Sequence, residues 1–294
     1  MNEMTTGEKR RTDNVRLAMD ILRGRWMLSD AEALLPHALD FLARVPSGMS
    51  AADYVPVLYS GEGPAVSVDG GAAEKRDKVA VIPLHGPLTK YWSCGTVSAE
   101  EVAADMLEYA GQDDVVGFVL DIDSPGGSAN AVFPMTSAVR QIRDKGKPVV
   151  VHCDLCASAA YWIASQCDAV FMDNPMSQVG SIGAYATYVD DRENGQTGER
   201  YISIYARESP DKNRAYREAL EGRYVVCQDE LSELVAMFRD AVLAGRPSVK
   251  ADVDGVFTGA LFYPDKAMSA GLADGVKSLS ECIENVFIRA EFNN

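Results

Sequence analysis

From residue 78 to residue 173, apolar runs of five to nine residues alternate with segments of helical period. Lys78–Leu84 (KVAVIPL), Val115–Asp123 (VVGFVLDID), Pro148–Asp154 (PVVVHCD) and Ala169–Asp173 are near-continuous apolar stretches, the pattern of strands covered on both faces. The first intervening helix opens at Ser98-Ala99-Glu100-Glu101, a capping-box pattern, and runs through Val102, Met106 and Tyr109. A second spans about Ala129 to Asp144, and a third opens near Ser158, directly after the third strand. Strands alternating with helices predict an α/β fold with a mostly parallel sheet and helices over its faces. Right-handed crossovers then gather the loops that follow the strands along one sheet edge, where α/β sites form.

Beyond this block the pattern predicts strands over Ala184–Asp190 and Tyr201–Ala206 and a long amphipathic helix from about Arg214 to Leu243. A short helix from Pro264 to Ala270 closes at Gly271, and a final helix starts near Ser280. Residues 1–59 read as helical: Val15, Met19, Leu22 and Trp26 recur at helical spacing with Arg16, Arg23 and Arg25 interleaved. Ser29-Asp30-Ala31-Glu32 caps a second run through Leu34, Leu35, Leu39 and Leu42, which Pro36 kinks or divides. Such helices pack on the main domain or form an arm for docking a partner or for oligomerisation. Residues 60–78, rich in Gly, Ala and charge, read as a flexible linker, leaving 79–294 as the α/β domain.

Composition narrows the functional classes. The 294 residues are 47% hydrophobic and 24% charged, enough for a sizeable core. The net charge of −15, from 43 acidic against 28 basic side chains, repels phosphate backbones and anionic lipid, so no nucleic-acid partner is expected. No run approaches the roughly 18 apolar residues of a membrane span. The opening MNEMTTGEKRRTDN lacks the apolar core of a secretory signal, so a soluble cytoplasmic protein without a membrane anchor is expected. The six cysteines (Cys94, Cys153, Cys156, Cys167, Cys227 and Cys282) then read as mostly reduced and buried. Cys153 and Cys156 have CxxC spacing, but no second pair completes a zinc site, and neither metal nor cofactor is expected.

Two loops at strand C-termini carry the candidate chemistry. Asp123-Ser124-Pro125-Gly126-Gly127-Ser128 places consecutive glycines between a strand and a helix, where backbone amides can approach and face an anion. Cys156-Ala157-Ser158-Ala159-Ala160-Tyr161-Trp162 places a serine with small neighbours at a helix start after a buried strand, the position of a nucleophile elbow. Taken singly, the first is an ordinary turn and the second an ordinary N-cap serine. Together they supply an oxyanion hole and a nucleophile. Ser124, Ser165 and Ser181 are weaker rivals, since none combines a helix start with small neighbours.

A serine nucleophile needs a base. The three histidines, His37, His85 and His152, all precede Ser158, which leaves only the chain order His85, Asp121 or Asp123, Ser158. His85 stands at a strand end and His152 inside an apolar strand, so both read as structural. Lysine remains: Lys212, Lys250, Lys266 and Lys277 follow Ser158. A lysine base must be partly desolvated to be neutral near neutral pH. Lys212 lies in SPDKN, between a strand and the long helix, where a loop can deliver it; read alone it is an exposed loop lysine.

Residues 79–277 resemble the signal peptide peptidase A family of serine peptidases, and within it the phage minor capsid protein C-like head peptidases. The matching segments are Asp121–Gly127 (DIDSPGG), Ala157–Ser165 (ASAAYWIAS), Val179–Gly183 (VGSIG) and Gly271–Asp274 (GLAD), in that order. The resemblance implies a ClpP/crotonase-like fold and a Ser–Lys dyad of Ser158 and Lys212. It further implies an oxyanion hole of the Gly127 and Ala159 amides, with Gly126 shaping the turn. Two features depart from the family pattern: Ala159-Ala160 stands where many members have Gly-Gly, and ARESPDKNR only loosely meets the motif around the lysine. It also implies protein or peptide substrates, among them phage capsid or scaffold proteins, and homo-oligomers, in the host cytoplasm or the procapsid. Two other readings share the sequence features: a crotonase-like acyl-CoA enzyme, and a non-catalytic capsid-assembly protein with a degenerate site.

Overall fold

The computed structural model describes residues 26–28, 56–60, 63–64, 77–92, 96–188 and 202–293. In chain order the first strands are β1 (Trp26–Leu28), β2 (Val57–Ser60), β3 (Gly63–Pro64), β4 (Lys78–His85), β5 (Leu88–Thr89) and β6 (Val97–Ser98). Next come α1 (Ala99–Ala110), β7 (Val115–Ser124), β8 (Gly126–Ser128), α2 (Val132–Asp144), β9 (Val149–Ala157) and α3 (Ala159–Ala164). The chain continues through β10 (Ala169–Met172), β11 (Gln178–Gly180), α4 (Arg214–Leu220), α5 (Val225–Gly245) and β12 (Leu261–Phe262), and ends with α6 (Pro264–Ser269), β13 (Gly275–Val276) and α7 (Leu279–Asn293).

The main sheet runs β12-β11-β9-β7-β4-β2-β3, with β10 beside β9 and β13 beside β10. Its central pairs β4–β7, β7–β9, β9–β10 and β9–β11 are parallel; β2–β4 and β11–β12 are antiparallel. Alternate side chains enter two cores, which explains why the strands read as unbroken apolar runs. Phe118, Leu120, Ile122, Val151 and Cys153 face the larger core with α1, α2 and α3. Val79, Val81, Val119 and Val150 face Ile283 and Val286 of α7. Gly117 admits α7 at close range, since a Cβ there would lie 2.4 Å from Val286 Cγ1. Ser98 caps α1 as its sequence pattern predicts, its Oγ accepting from the Glu101 amide at 3.3 Å.

A second, four-stranded sheet, β1-β8-β5-β6, lies at the end of β7 and contains the glycine loop. Several sequence expectations are corrected here. Within the region read as helical, Val57–Ser60 is a strand of the main sheet and Trp26–Leu28 a strand on β8. Hydrogen bonding to a preformed edge overrides local helical spacing at these positions. The remainder of that region, including the runs from Val15 to Leu22 and from Leu34 to Leu42, lies outside the described residues, as does most of the linker. Ala184–Tyr188 holds only an isolated bridge at Tyr185, residues 202–206 form no strand, and 189–201 lie outside the described residues. The long helix is two helices, because Gly222 adopts φ 76° and its amide turns back to the Ala219 carbonyl.

Candidate active site

Register sets the site. On the parallel neighbours β7 and β9, Ser124 pairs with Cys156, so each loop begins two residues later from adjacent strands about 5 Å apart. Gly126-Gly127 and Ser158-Ala159 therefore emerge side by side, and α3 packs against β8. Gly126 has φ 103°, which an L side chain rarely tolerates. At Gly127 a Cβ would stand 1.9 Å from the Leu88 carbonyl oxygen, so only glycine fits between β8 and β5.

Ser158 is a turning residue rather than a cap. Its φ 56°, ψ −120° lie outside the ordinary L-residue wells, and its side chain makes no capping bond to α3. Two backbone bonds hold this strain: the Ser158 amide donates to the Gly180 carbonyl at 2.8 Å, and the Trp162 amide donates to the Ser158 carbonyl at 3.0 Å. The ordinary N-cap explanation for this serine thus fails. Gly180 (φ 120°) and Ser181 (φ 52°) of the VGSIG segment form the adjoining wall, with the Ser181 amide bound to the Ala260 carbonyl.

Two of the rival serines have their hydroxyls otherwise engaged. Ser124 Oγ donates to the Gly86 carbonyl at 2.7 Å and accepts from the Gly126 amide at 3.2 Å, which fixes the glycine turn. Ser165 is fully buried and its Oγ donates to the Trp162 carbonyl at 2.7 Å.

A groove of about 800 Å³ flanks the loops between α2 and α5, lined by Ser128, Phe133, Trp162, Glu233, Leu234 and Met237. Trp162, one turn beyond Ser158, stacks on Phe238 at 4.7 Å and locks α3 to α5. Ser158 itself is 1% exposed and does not line this groove.

Lys212 sits in an exposed turn before α4, and among the described residues no hydrogen bond joins it to Ser158. The turn is nonetheless built. Arg217 donates to the Pro210 carbonyl and lies 4.6 Å over the Tyr205 ring, while Asn213 at φ 54° reaches the Tyr205 hydroxyl.

The histidines occupy another place. His85 and His152 flank Asp121, with His152 Nδ1 at 2.7 Å from Oδ1 and His85 Nε2 at 3.2 Å from Oδ2. His152 precedes Ser158 by six residues along β9, roughly 20 Å of strand. Asp121 pairs with His152 in the sheet and so lies as far back from Ser158, and among the described residues no hydrogen bond joins His85 to Ser158. Asp173 accepts from His152 Nε2 at 3.0 Å. Both ring nitrogens thus face carboxylates, an arrangement that favours the doubly protonated ring. Burial disfavours that charge, but the bonds to Asp121 and Asp173 outweigh it and raise the His152 pKa.

The model of peptidase family S49 matches residues 141–292, just over half of the chain. The chain belongs to peptidase family S49. Its α/β architecture with a mostly parallel sheet is the ClpP/crotonase-like fold of that family. Relatives include Protease 4 of Haemophilus influenzae, 26% identical over 213 residues, covering 70% of this chain and 34% of the relative. The head-tail preconnector protein GP5 of Enterobacteria phage P21 is 27% identical over 219 residues, covering 70% of this chain and 42% of its own length. The chloroplastic serine protease SPPA of Arabidopsis thaliana is 25% identical over 229 residues, covering 72% and 32%. The chain thus spans 32% to 42% of the length of these relatives. Among the described residues no helix is long and apolar enough to cross a membrane.

Within the S49 domain the GLAD segment is an anchor. Arg246, 6% exposed, donates to both Asp274 carboxylate oxygens at 2.9 Å and to the Gly271 carbonyl at 3.1 Å. The Tyr161 hydroxyl on α3 donates to the Leu272 carbonyl at 2.8 Å, tying the serine helix to the C-terminal elements. Nothing in sequence spacing marks Arg246 or Tyr161 for this role, since their partners are distant in the chain. The CxxC cysteines are buried, and Cys153 donates to the Phe171 carbonyl at 3.4 Å.

Proposed function

We propose that this S49 chain is a serine endopeptidase in which Ser158 attacks a peptide carbonyl and Lys212 is the base. The developing oxyanion is received by the Gly127 and Ala159 amides, Ala159 opening α3 where the helix end favours negative charge. The observation that carries this reading is the backbone of Ser158: a strained serine with no capping bond, set by β-register beside a glycine loop. Lys212 takes the serine proton and returns it to the leaving amine, and water then releases the acyl group by the same base. The exposed turn that carries Lys212 must swing toward Ser158, of its own chain or of a neighbouring copy, for this to happen. The likeness to a phage head-tail preconnector protein supports processing of phage head or scaffold proteins as the biological role.

Hydrolysis of an unstructured protein such as casein, together with labelling by a fluorophosphonate, tests the assignment. Ser158→Ala is expected to lose activity by roughly 10⁴-fold or more and to lose labelling. Lys212→Ala is expected to lose comparable activity while keeping its fold. Full hydrolysis by Ser158→Ala would falsify the proposal. A chain that neither hydrolyses nor labels, yet is required for head assembly, would be an assembly protein with a degenerate site.

A further inference from the structure

The groove between α2 and α5 combines apolar and acidic lining. Glu230, Glu233, Leu234 and Met237 recur at i, i+3, i+4 and i+7 of α5, so one helix face presents two carboxylates beside two apolar side chains. Trp162 of α3 adds an aromatic surface, and none of the residues lining the groove is cationic. Glu233 is exposed, and among the described residues no hydrogen bond or ion pair joins it to a neighbour. Met237, one turn further on, is 56% exposed. The groove adjoins the proposed chemistry on two sides. Ser128 follows Gly127 directly, and Trp162 lies one helical turn, about 6 Å, beyond Ser158. That span is about two residues of an extended peptide.

We propose that this groove is a specificity site for a lysine or arginine of the substrate, lying within about three residues of the cleaved bond. The inference rests on the peptidase reading above and names the substrate class of that site. A long cationic side chain matches both properties of the lining. Its methylene stem covers Trp162, Leu234 and Met237, and its charged end reaches Glu233. A wholly apolar side chain would desolvate the carboxylates without pairing them, and an acidic one would meet two like charges. The net charge of −15 acts in the same direction at longer range, drawing basic segments toward the molecule.

Mass-spectrometric mapping of cleavage in a mixture of unstructured peptides of diverse sequence tests this, since relative rates in a mixture report kcat/KM. For wild type, Lys or Arg is expected to be favoured over Asp or Glu by about fivefold or more at one position near the cleaved bond, and less so as salt rises. Glu233→Lys is expected to reverse the preference at that position, and the isosteric Glu233→Gln to reduce it without reversal. Glu284→Lys on α7, over the opposite face of the sheet, makes the same change in net charge and is expected to keep the preference. Cleavage through Ser158 with no basic preference overturns the inference and leaves the peptidase reading standing. So does a preference that survives Glu233→Lys and Glu233→Gln, or one that Glu284→Lys removes equally. Neither cleavage nor fluorophosphonate labelling by wild type overturns both readings.

Discussion

At the scale of single residues, the site is written in backbone strain more than in side-chain contacts. A serine at φ 56°, ψ −120° costs on the order of 1–3 kcal/mol relative to an ordinary conformation, held by its bonds to Gly180 and Trp162. Ser158→Gly should therefore abolish hydrolysis while raising stability by up to about 1 kcal/mol, because glycine relaxes in that region. A thermal melt showing Ser158→Gly less stable than Ser158→Ala would remove the argument from strain. Gly127→Ala acts in the opposite sense: its Cβ must push back the Leu88 carbonyl, against an initial separation of 1.9 Å. It is expected to lose both activity and about 2 kcal/mol or more of stability, measured by urea unfolding. The elbow turn at Ser158 was legible in the sequence because small flanking residues after an apolar strand mark one. Ser124 and Ser165 could be set aside only once their hydroxyl partners were visible, since Gly86 and Trp162 accept through backbone carbonyls that carry no sequence signature.

At the scale of elements, strand and helix periodicity located the two loops of the proposed site, and the failures came where tertiary pairing decides. Nothing in VLYS or WML distinguishes an added edge strand from a turn of helix until the neighbouring edge is known. The same sheet carries a row that periodicity hides, His85–Asp121–His152–Asp173, threaded across β4, β7, β9 and the end of β10. Burial raises the Asp121 pKa, but its bonds to His152 and His85 outweigh that and depress it. Asp173, bonded first to Asn174 and then to His152, is also depressed. The linkage signs follow. The raised His152 contributes stability that is complete below its ordinary pKa and fades as pH rises through its folded value. The depressed carboxylates contribute stability that fades as pH falls through theirs. The row is therefore strongest between the ordinary carboxylate and histidine values. Wild type should lose melting temperature from about pH 6 to about pH 9 more steeply than His152→Gln. Parallel pH profiles for the two proteins would count against a charged His152.

At the scale of the whole molecule, the pieces of the site differ in how firmly they are held. Ser158 and the glycine loop are fixed from three sides by β-register, the GLAD anchor and the Trp162–Phe238 stack. The Lys212 turn hangs at the surface, preceded by Ile202 and Ile204, which are 78% and 91% exposed. Two isoleucines this bare, spaced to share one face of an extended segment, leave apolar area in water that a partner surface would remove at about 25 cal/mol per Å². A homo-oligomer, as the family resemblance implies, would give that segment a role: burying it would draw the adjoining turn out of solvent, where a lysine is most easily kept neutral. Assembly and activity should then fail together. Ile204→Asp is expected to shift the protein to monomer in light scattering and to lose hydrolysis by roughly 10²-fold or more, while fluorescence melts stay close to wild type, as for other surface substitutions. Arg217→Ala, which frees the turn from Pro210 and Tyr205, should lose activity with the oligomer intact. A monomeric Ile204→Asp with undiminished hydrolysis would place the base within the single chain and detach catalysis from assembly.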